Sequence, residues 1–148
     1  MFNRVLIVCT GNICRSPIAE GLLKRDCSNL DISSAGLHAL EGHPADPLAI
    51  EVMSEIGVDI SRHVARRFTR KDAVRADLIL VMETEQKREI ESVFPEVRGK
   101  VFRFAEQSGV DVLDPYRKSK PFFNAALALL AESAAVWTTK LEPSNTRT

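Results

Sequence analysis

Five apolar residues in a row, Val5-Leu6-Ile7-Val8-Cys9, run into the turn residues Gly11 and Asn12, and Ser16-Pro17 follows at once. A continuous apolar run without polar alternation suits a strand covered on both faces, as in a parallel sheet. A helix is then expected from Ser16. Serine is a favoured N-cap, and proline fits the first helical position, where its missing N–H has no helical partner. Ile18, Ala19, Leu22 and Leu23 share one face of that helix, with Glu20, Lys24 and Arg25 off it.

The alternation continues along the chain. Residues 31–35, ended by Gly36, read as a second strand. A second helix begins near Asp46-Pro47, with Leu48, Ala49, Val52, Met53 and Ile56 as its apolar stripe and Gly57 at its end. Thr69-Arg70-Lys71-Asp72 has capping-box spacing and opens a short helix. Residues 78–82 form a third strand, 84–93 a helix stopped by Phe94-Pro95, and 101–104 a fourth strand. The last helix runs from about 121 to 141, with Phe122, Ala126, Leu129, Leu130, Trp137 and Leu141 as its core face. The order β-α-β-α-α-β-α-β-α predicts an α/β fold of three layers, a parallel sheet with helices on both faces. Ligands of such sheets sit at the carboxyl ends of the strands. The chain has 148 residues, no repeat and no Gly/Ser linker, so residues 1–141 are expected to form one domain and the polar residues 142–148 a flexible tail.

Twenty basic residues balance twenty acidic ones, which argues against a nucleic-acid binder working by bulk charge. The uninterrupted apolar runs are far shorter than the roughly 20 residues of a membrane span, and no signal peptide is legible, so no membrane insertion is expected. Three cysteines, an odd count, point to a reducing cytoplasm rather than a disulfide scaffold.

Residues 9–16 read Cys9-Thr10-Gly11-Asn12-Ile13-Cys14-Arg15-Ser16. A short loop between a buried strand and a helix N-terminus cradles anions, because its N–H groups point inward and the helix dipole adds positive charge. Gly11 and Asn12 tolerate the left-handed backbone a tight cradle needs. Arg15 can fork onto two phosphate oxygens. Cys9, on the floor, would be acidified by these groups and attack phosphorus as a thiolate, with the Ser16 hydroxyl donating to its sulfur. No Gly-Lys-Ser/Thr follows the turn, which argues against Walker-type nucleotide hydrolysis. A proton donor for the leaving oxygen is also required. Asp114, in Asp114-Pro115-Tyr116 after the last strand, is the best candidate, with Asp111, Asp46 and Asp59 as rivals.

The segment from Val8 to Pro17 closely resembles the signature of low-molecular-weight protein tyrosine phosphatases. Ser33-Ser34-Ala35-Gly36, Pro44-Ala45-Asp46, Asp77-Leu78-Ile79-Leu80-Val81-Met82 and Asp114-Pro115-Tyr116 match further landmarks in family order. The resemblance implies a four-stranded parallel sheet flanked by helices, with the phosphate-binding loop after the first strand, and no metal or other cofactor. It implies that Cys9 forms a phosphocysteine, Arg15 stabilises the transition state, and Asp114 serves as general acid and then base. Thr10, Gly11, Asn12, Ile13, Cys14 and Ser16 would hold the phosphate, Asn12 keeping the loop's shape and Ser16 tuning the thiolate. Inorganic phosphate would be product and inhibitor.

Residues 36–42 and 114–119 resemble the bacterial branch paired with membrane tyrosine autokinases and exopolysaccharide export, which implies the autokinase's cytoplasmic phosphotyrosine tail as partner. Leu40 stands where many relatives place an aromatic on the cleft wall, and Arg117 where many have a second aromatic, so substrate preference does not carry over from eukaryotic relatives. Tyr116, the chain's single tyrosine, is expected to line the cleft. Cys14 would close a reversible disulfide with Cys9; the plainer alternative is a small residue filling the loop. Cys27 reads as a structural or surface thiol. The basic residues Arg62, Arg66, Arg67, Arg70, Lys71 and Arg75 read as a solvated face with some ion pairs, or as a dock for an acidic tail. His38, His43 and His63 have no partner by spacing. An arsenate reductase is disfavoured because no resolving cysteine follows Cys27, and a non-catalytic phosphoprotein binder because Cys9 and Asp114 are both present.

Overall fold

The central strand β1 (Arg4–Cys9) is buried from Val5 onward because helices cover both of its faces. The computed structural model describes residues 2–142. After β1 come α1 (Arg15–Asp26), β2 (Asp31–Gly36), α2 (Pro47–Ser54), α3 (Arg70–Arg75), β3 (Leu78–Val81), α4 (Thr84–Val93), β4 (Val101–Arg103) and α5 (Lys120–Leu141). The four strands are parallel in the order β2-β1-β3-β4. Val5, Ile7 and Cys9 face a core shared with α1, α2 and α5, whereas Leu6 and Val8 face one shared with α3 and α4. The chain leaves β1 for β2 on one side and later returns to β3 on the other. The carboxyl end of β1 is therefore the point where strand order reverses, and a crevice opens there.

The expected elements are present in the expected order, with local differences. α1 begins at Arg15, with Cys14 as N-cap and no side-chain cap, so Ser16 does not cap it. Pro17 is tolerated as the third helical residue because the first four N–H groups of a helix lack intrahelical partners. Asp46 does cap α2, its Oδ1 accepting from Leu48 N–H at 2.9 Å. That helix ends at Ser54, leaving Ile56 in an exposed turn closed by Gly57 at φ 80°. On α5 the inward aromatic is Phe123 rather than Phe122. Phe123, Ala126, Leu130, Ala134 and Trp137 keep the 3–4 residue spacing of a buried stripe, while Phe122 stays outside beneath the Lys118 ammonium, 4.9 Å from its ring centre. Leu129 and Leu141, also expected on that face, are only partly buried. By length and composition α5 is apolar enough to cross a membrane, with a mean hydropathy of 1.2. Counting uninterrupted apolar runs missed it because Asn124, Glu132 and Ser133 break the sequence. Glu142, assigned to the tail in the sequence reading, is buried, and residues 143–148 of that tail lie outside the described residues.

Candidate active site

The loop after β1 is held from outside by its carbonyl groups. Cys9 O accepts from Leu37 N–H at 2.9 Å, Thr10 O from His38 N–H at 2.9 Å, Gly11 O from Leu40 N–H at 3.1 Å and Ile13 O from Asp46 N–H at 2.8 Å. His63 Nε2–H donates to Asn12 O at 2.6 Å. With the carbonyls tied outward, the N–H groups turn the other way. Those of Gly11, Asn12, Ile13 and Cys14 have no protein acceptor among the described residues. The result is a loop of open N–H donors between Cys9 and the N-terminus of α1, a geometry suited to an anion.

Two residues permit this shape. Asn12 takes the left-handed conformation at φ 60°, whereas Gly11, expected to share it, does not. Gly36 is needed for close approach instead: a Cβ there would lie 2.6 Å from Thr10 O and 3.0 Å from Asn12 Cβ. Gly36→Ala is expected to cost about 1–3 kcal/mol, seen as a lowered thermal midpoint, and to reduce turnover because the loop itself must shift. A variant with both unchanged would contradict this.

The hydrogen-bond directions inside the loop follow from Asn12. Its Oδ1 accepts from Arg66 N–H at 2.9 Å, which fixes the amide so that Nδ2 donates to Ser16 Oγ at 2.8 Å and Ser34 Oγ at 3.0 Å. Each serine oxygen is thereby an acceptor; Ser34 gives its own proton to Glu20 Oε1 at 2.5 Å, and Ser16 Oγ lies 2.9 Å from Cys9 Sγ, within reach to donate to it. Toward a thiolate, which can only accept, the Ser16 hydroxyl is a donor, the geometry anticipated for it, although it does not cap the helix.

Arg15 is 1% exposed. Its Nη1 donates to Glu83 Oε2 at 2.5 Å and to Val112 O at 2.8 Å. Among the described residues its Nε has no partner, and its Nη2 lies 3.6 Å from Asp114 Oδ2. One side of the guanidinium is therefore anchored to protein, while the Nε–Nη2 edge keeps the fork geometry that matches two phosphate oxygens. Glu83, just past β3, was not singled out from the sequence. Its place at the carboxyl end of a strand is the signal that would have found it. Glu83→Gln keeps an acceptor but removes the charge that holds Arg15, and is expected to lower kcat/KM about tenfold. Unaltered kinetics would mean that Val112 O alone positions the arginine.

Asp114 stands at the mouth, half-exposed. Its Oδ1 accepts from Tyr116 N–H at 3.1 Å, leaving Oδ2 turned toward Arg15. The rival acids are committed elsewhere. Burial alone would raise the Asp111 carboxyl, but hydrogen bonds from Arg103 and Thr84 outweigh it and hold it below the usual range. Asp46 caps α2, and Asp59 accepts from Ser61 N–H at 2.8 Å. Cys9, Arg15, Asp114, Leu40 and Tyr116 converge on one cavity of about 310 Å³, which Thr10, Gly11, Ile13, Cys14, His38 and Arg117 also line. Leu40 and Tyr116 form its apolar walls, and the Arg117 guanidinium sits 5.3 Å from the Tyr116 ring centre. A larger hollow of about 610 Å³, beside Glu20, Ser34 and His63, contains none of Cys9, Arg15 or Asp114.

The remaining cysteines and cations separate clearly. Burial, with the negative charge of Asp46 and Asp114, pushes the Cys14 thiol well up, so it stays protonated. Burial also pushes up Cys27, which packs in the core as a structural thiol. Arg66 pairs with Asp72 at 3.0 Å and Arg70 with Glu96 at 2.8 Å, so part of the basic stretch is ion-paired surface. Of the histidines, His63 was missed: its loop partner lies 51 residues away and no spacing reveals it.

Comparison with known proteins matches residues 4–146 to the family model for low molecular weight phosphotyrosine protein phosphatases. The chain is 45% identical over 141 residues to the probable low molecular weight protein-tyrosine-phosphatase EpsP of Ralstonia nicotianae, covering 95% of this chain and 97% of that one. It is 46% identical over 138 residues to the low molecular weight protein-tyrosine-phosphatase Wzb of Escherichia coli K12, covering 93% and 94%. The crystal structure of the tyrosine phosphatase Wzb from Escherichia coli K30 in complex with sulphate superposes with a TM-score of 0.92 at 41% identity, covering 95% of this chain and 99% of that one. With a loop of open N–H donors after the first of four parallel strands, and with matches along nearly its whole length, the chain belongs to the low molecular weight protein-tyrosine-phosphatase family.

Proposed function

We propose that this tyrosine phosphatase acts in two displacements through a phosphocysteine on Cys9. The observation that carries the reading is that Cys9, Arg15 and Asp114 line one cavity beside loop N–H groups with no protein acceptor among the described residues, with Ser16 Oγ 2.9 Å from the sulfur. In the first step the thiolate attacks phosphorus, the bond from phosphorus to the tyrosine oxygen breaks, and Asp114 gives that oxygen its proton. In the second, Asp114 takes a proton from water, the water oxygen attacks phosphorus, and the S–P bond breaks to release inorganic phosphate and the thiolate. The loop N–H groups and Arg15 hold the equatorial oxygens throughout, supplying electrostatic stabilisation where charge develops. Leu40 and Tyr116 flank the aryl ring.

The physiological substrate in this reading is the cytoplasmic phosphotyrosine tail of a bacterial membrane tyrosine autokinase that controls exopolysaccharide synthesis and export. Supporting it are the likeness to EpsP and Wzb and the segments at 36–42 and 114–119. The experiment is turnover of p-nitrophenyl phosphate in EDTA and dithiothreitol, acid-quenched and examined by mass spectrometry. A phosphate adduct on the Cys9 peptide is expected; turnover without an adduct, or turnover lost in EDTA, would overturn the mechanism. An autokinase domain stripped of phosphotyrosine, with a phosphoserine peptide untouched, supports the substrate assignment.

Oxidation of Cys9 to the sulfenic acid permits attack by the Cys14 thiolate, which forms the disulfide and expels hydroxide. Because Cys14 is held as a thiol, closure is expected to accelerate steadily as pH rises through neutrality. The check is the time course of disulfide formation after peroxide at pH 6 and pH 9; equal rates would exclude Cys14 deprotonation as the limiting event.

A further inference from the structure

Gln86, near the start of α4, aims a hydroxyl that the mechanism above leaves without a task. Its side chain is buried. Its Oε1 accepts two backbone N–H groups just past β3, from Met82 at 2.8 Å and Glu83 at 3.0 Å. Two donors on one oxygen settle which way the amide faces. Its Nε2 must point away from them, and it donates to Thr10 Oγ1 at 3.1 Å. The Thr10 oxygen is therefore an acceptor in that bond. A hydroxyl carries one proton, and among the described residues no acceptor takes it. Thr10 follows Cys9 directly and lines the active-site cavity, while its backbone carbonyl is tied outward to His38.

We propose that the Thr10 hydroxyl is an additional donor to the phosphoryl oxygens, and that Gln86 is the positioning residue that sets its polarity. This rests on the phosphate-handling role given to the loop above. The other donors to the phosphate are backbone N–H groups and Arg15; Thr10 adds one from a neutral side chain. A hydroxyl free to rotate can turn a lone pair toward an anion and repel it. With Gln86 N–H occupying one lone pair, the hydroxyl has one fewer lone pair to turn toward the anion and its proton is left for an acceptor in the cavity that Thr10 lines, which biases it toward donation before the substrate arrives.

Inorganic phosphate, as a competitive inhibitor of p-nitrophenyl phosphate hydrolysis, is the probe. Thr10→Val keeps the shape and removes the hydroxyl; Thr10→Ser keeps the hydroxyl and removes the methyl. Gln86→Glu changes no heavy-atom count: the new carboxylate still accepts from Met82 and Glu83, but its second oxygen now takes the Thr10 proton and reverses the bond. Hydrogen bonds to charged partners are strong enough that Thr10→Val is expected to raise the phosphate inhibition constant about tenfold. Thr10→Ser is expected to stay within about twofold of wild type, and Gln86→Glu to weaken phosphate at least as much as Thr10→Val. Once the hydroxyl is gone, Gln86→Glu should add less than it does alone, as for residues acting through one contact. The rate at which neutral iodoacetamide alkylates Cys9 should be the same in Thr10→Val and wild type, because the sulfur already has its donor in Ser16.

Unchanged phosphate inhibition in Thr10→Val would overturn the proposal. So would a Thr10→Ser variant as impaired as Thr10→Val, which would reduce Thr10 to packing. A changed alkylation rate with unchanged phosphate inhibition would place the hydroxyl on the sulfur instead. Failure here is distinct from failure of the phosphocysteine reading, which depends on the trapped adduct of the wild-type enzyme and not on any Thr10 variant.

Discussion

Cys9→Ser is expected to abolish turnover, by at least about 10⁴-fold, while leaving the protein folded and able to bind phosphate. The two halves of this outcome have separate origins. The attacking atom is lost because a serine hydroxyl at neutral pH is far less ionised than a thiol and a far weaker nucleophile toward phosphorus. Ser16 Oγ, 2.9 Å from the sulfur, already receives Asn12 Nδ2–H on its oxygen. A neutral hydroxyl is too weak a base to take the proton of a serine at position 9. The anion site, in contrast, is built from groups the substitution does not touch. The loop carbonyls remain tied to residues 37, 38, 40 and 46, and Arg15 remains anchored on Glu83 and Val112. Calorimetric titration with phosphate should give an affinity within a few-fold of wild type. Loss of phosphate binding together with turnover would mean that Cys9 holds the loop's shape as well as its chemistry.

How much of this site is legible in the sequence depends on the distance between partners along the chain. β1 was legible because burial on both faces leaves an unbroken apolar run, and α3 because Thr69 and Asp72 cap within one turn, as the reciprocal bonds between them confirm. Cys9, Arg15 and Ser16 were legible because one loop carries all three. Ser16 was given the wrong local task for the same reason. Serine before proline is a good capping pattern, but the cap falls two residues earlier, on Cys14, and the hydroxyl lies by the sulfur as also expected. Phe122 and Phe123 are adjacent, so period alone does not choose between them; the register of α5 on the core decides. The partners of Glu83 and Gln86 were not legible because they lie 68 and 76 positions away. Those contacts exist because β3 lies directly beside β1, a pairing that the order of elements alone does not give.

Asp114→Asn is the second large effect, and its size should depend on the substrate. General acid catalysis matters in proportion to the basicity of the leaving oxygen. Phenyl phosphate and phosphotyrosine release a strongly basic phenolate and need the proton, whereas p-nitrophenolate leaves with little help. In Asp114→Asn, kcat/KM for phenyl phosphate is expected to fall about 10²–10³-fold and that for p-nitrophenyl phosphate by about tenfold or less. This ratio reports the step up to phosphocysteine formation. The turnover number, which also includes hydrolysis of the intermediate, should fall for both esters because water loses its base. The geometry makes asparagine a fair test. The side-chain oxygen can still accept from Tyr116 N–H, so the loop stays in place, and only the atom facing Arg15 loses its capacity to exchange a proton. If both esters slow equally in kcat/KM, the carboxylate is acting through Arg15 rather than on the leaving group. If neither slows, the acid lies elsewhere; Asp111, held below the usual carboxylate range by Arg103 and Thr84, is poorly suited to donate a proton.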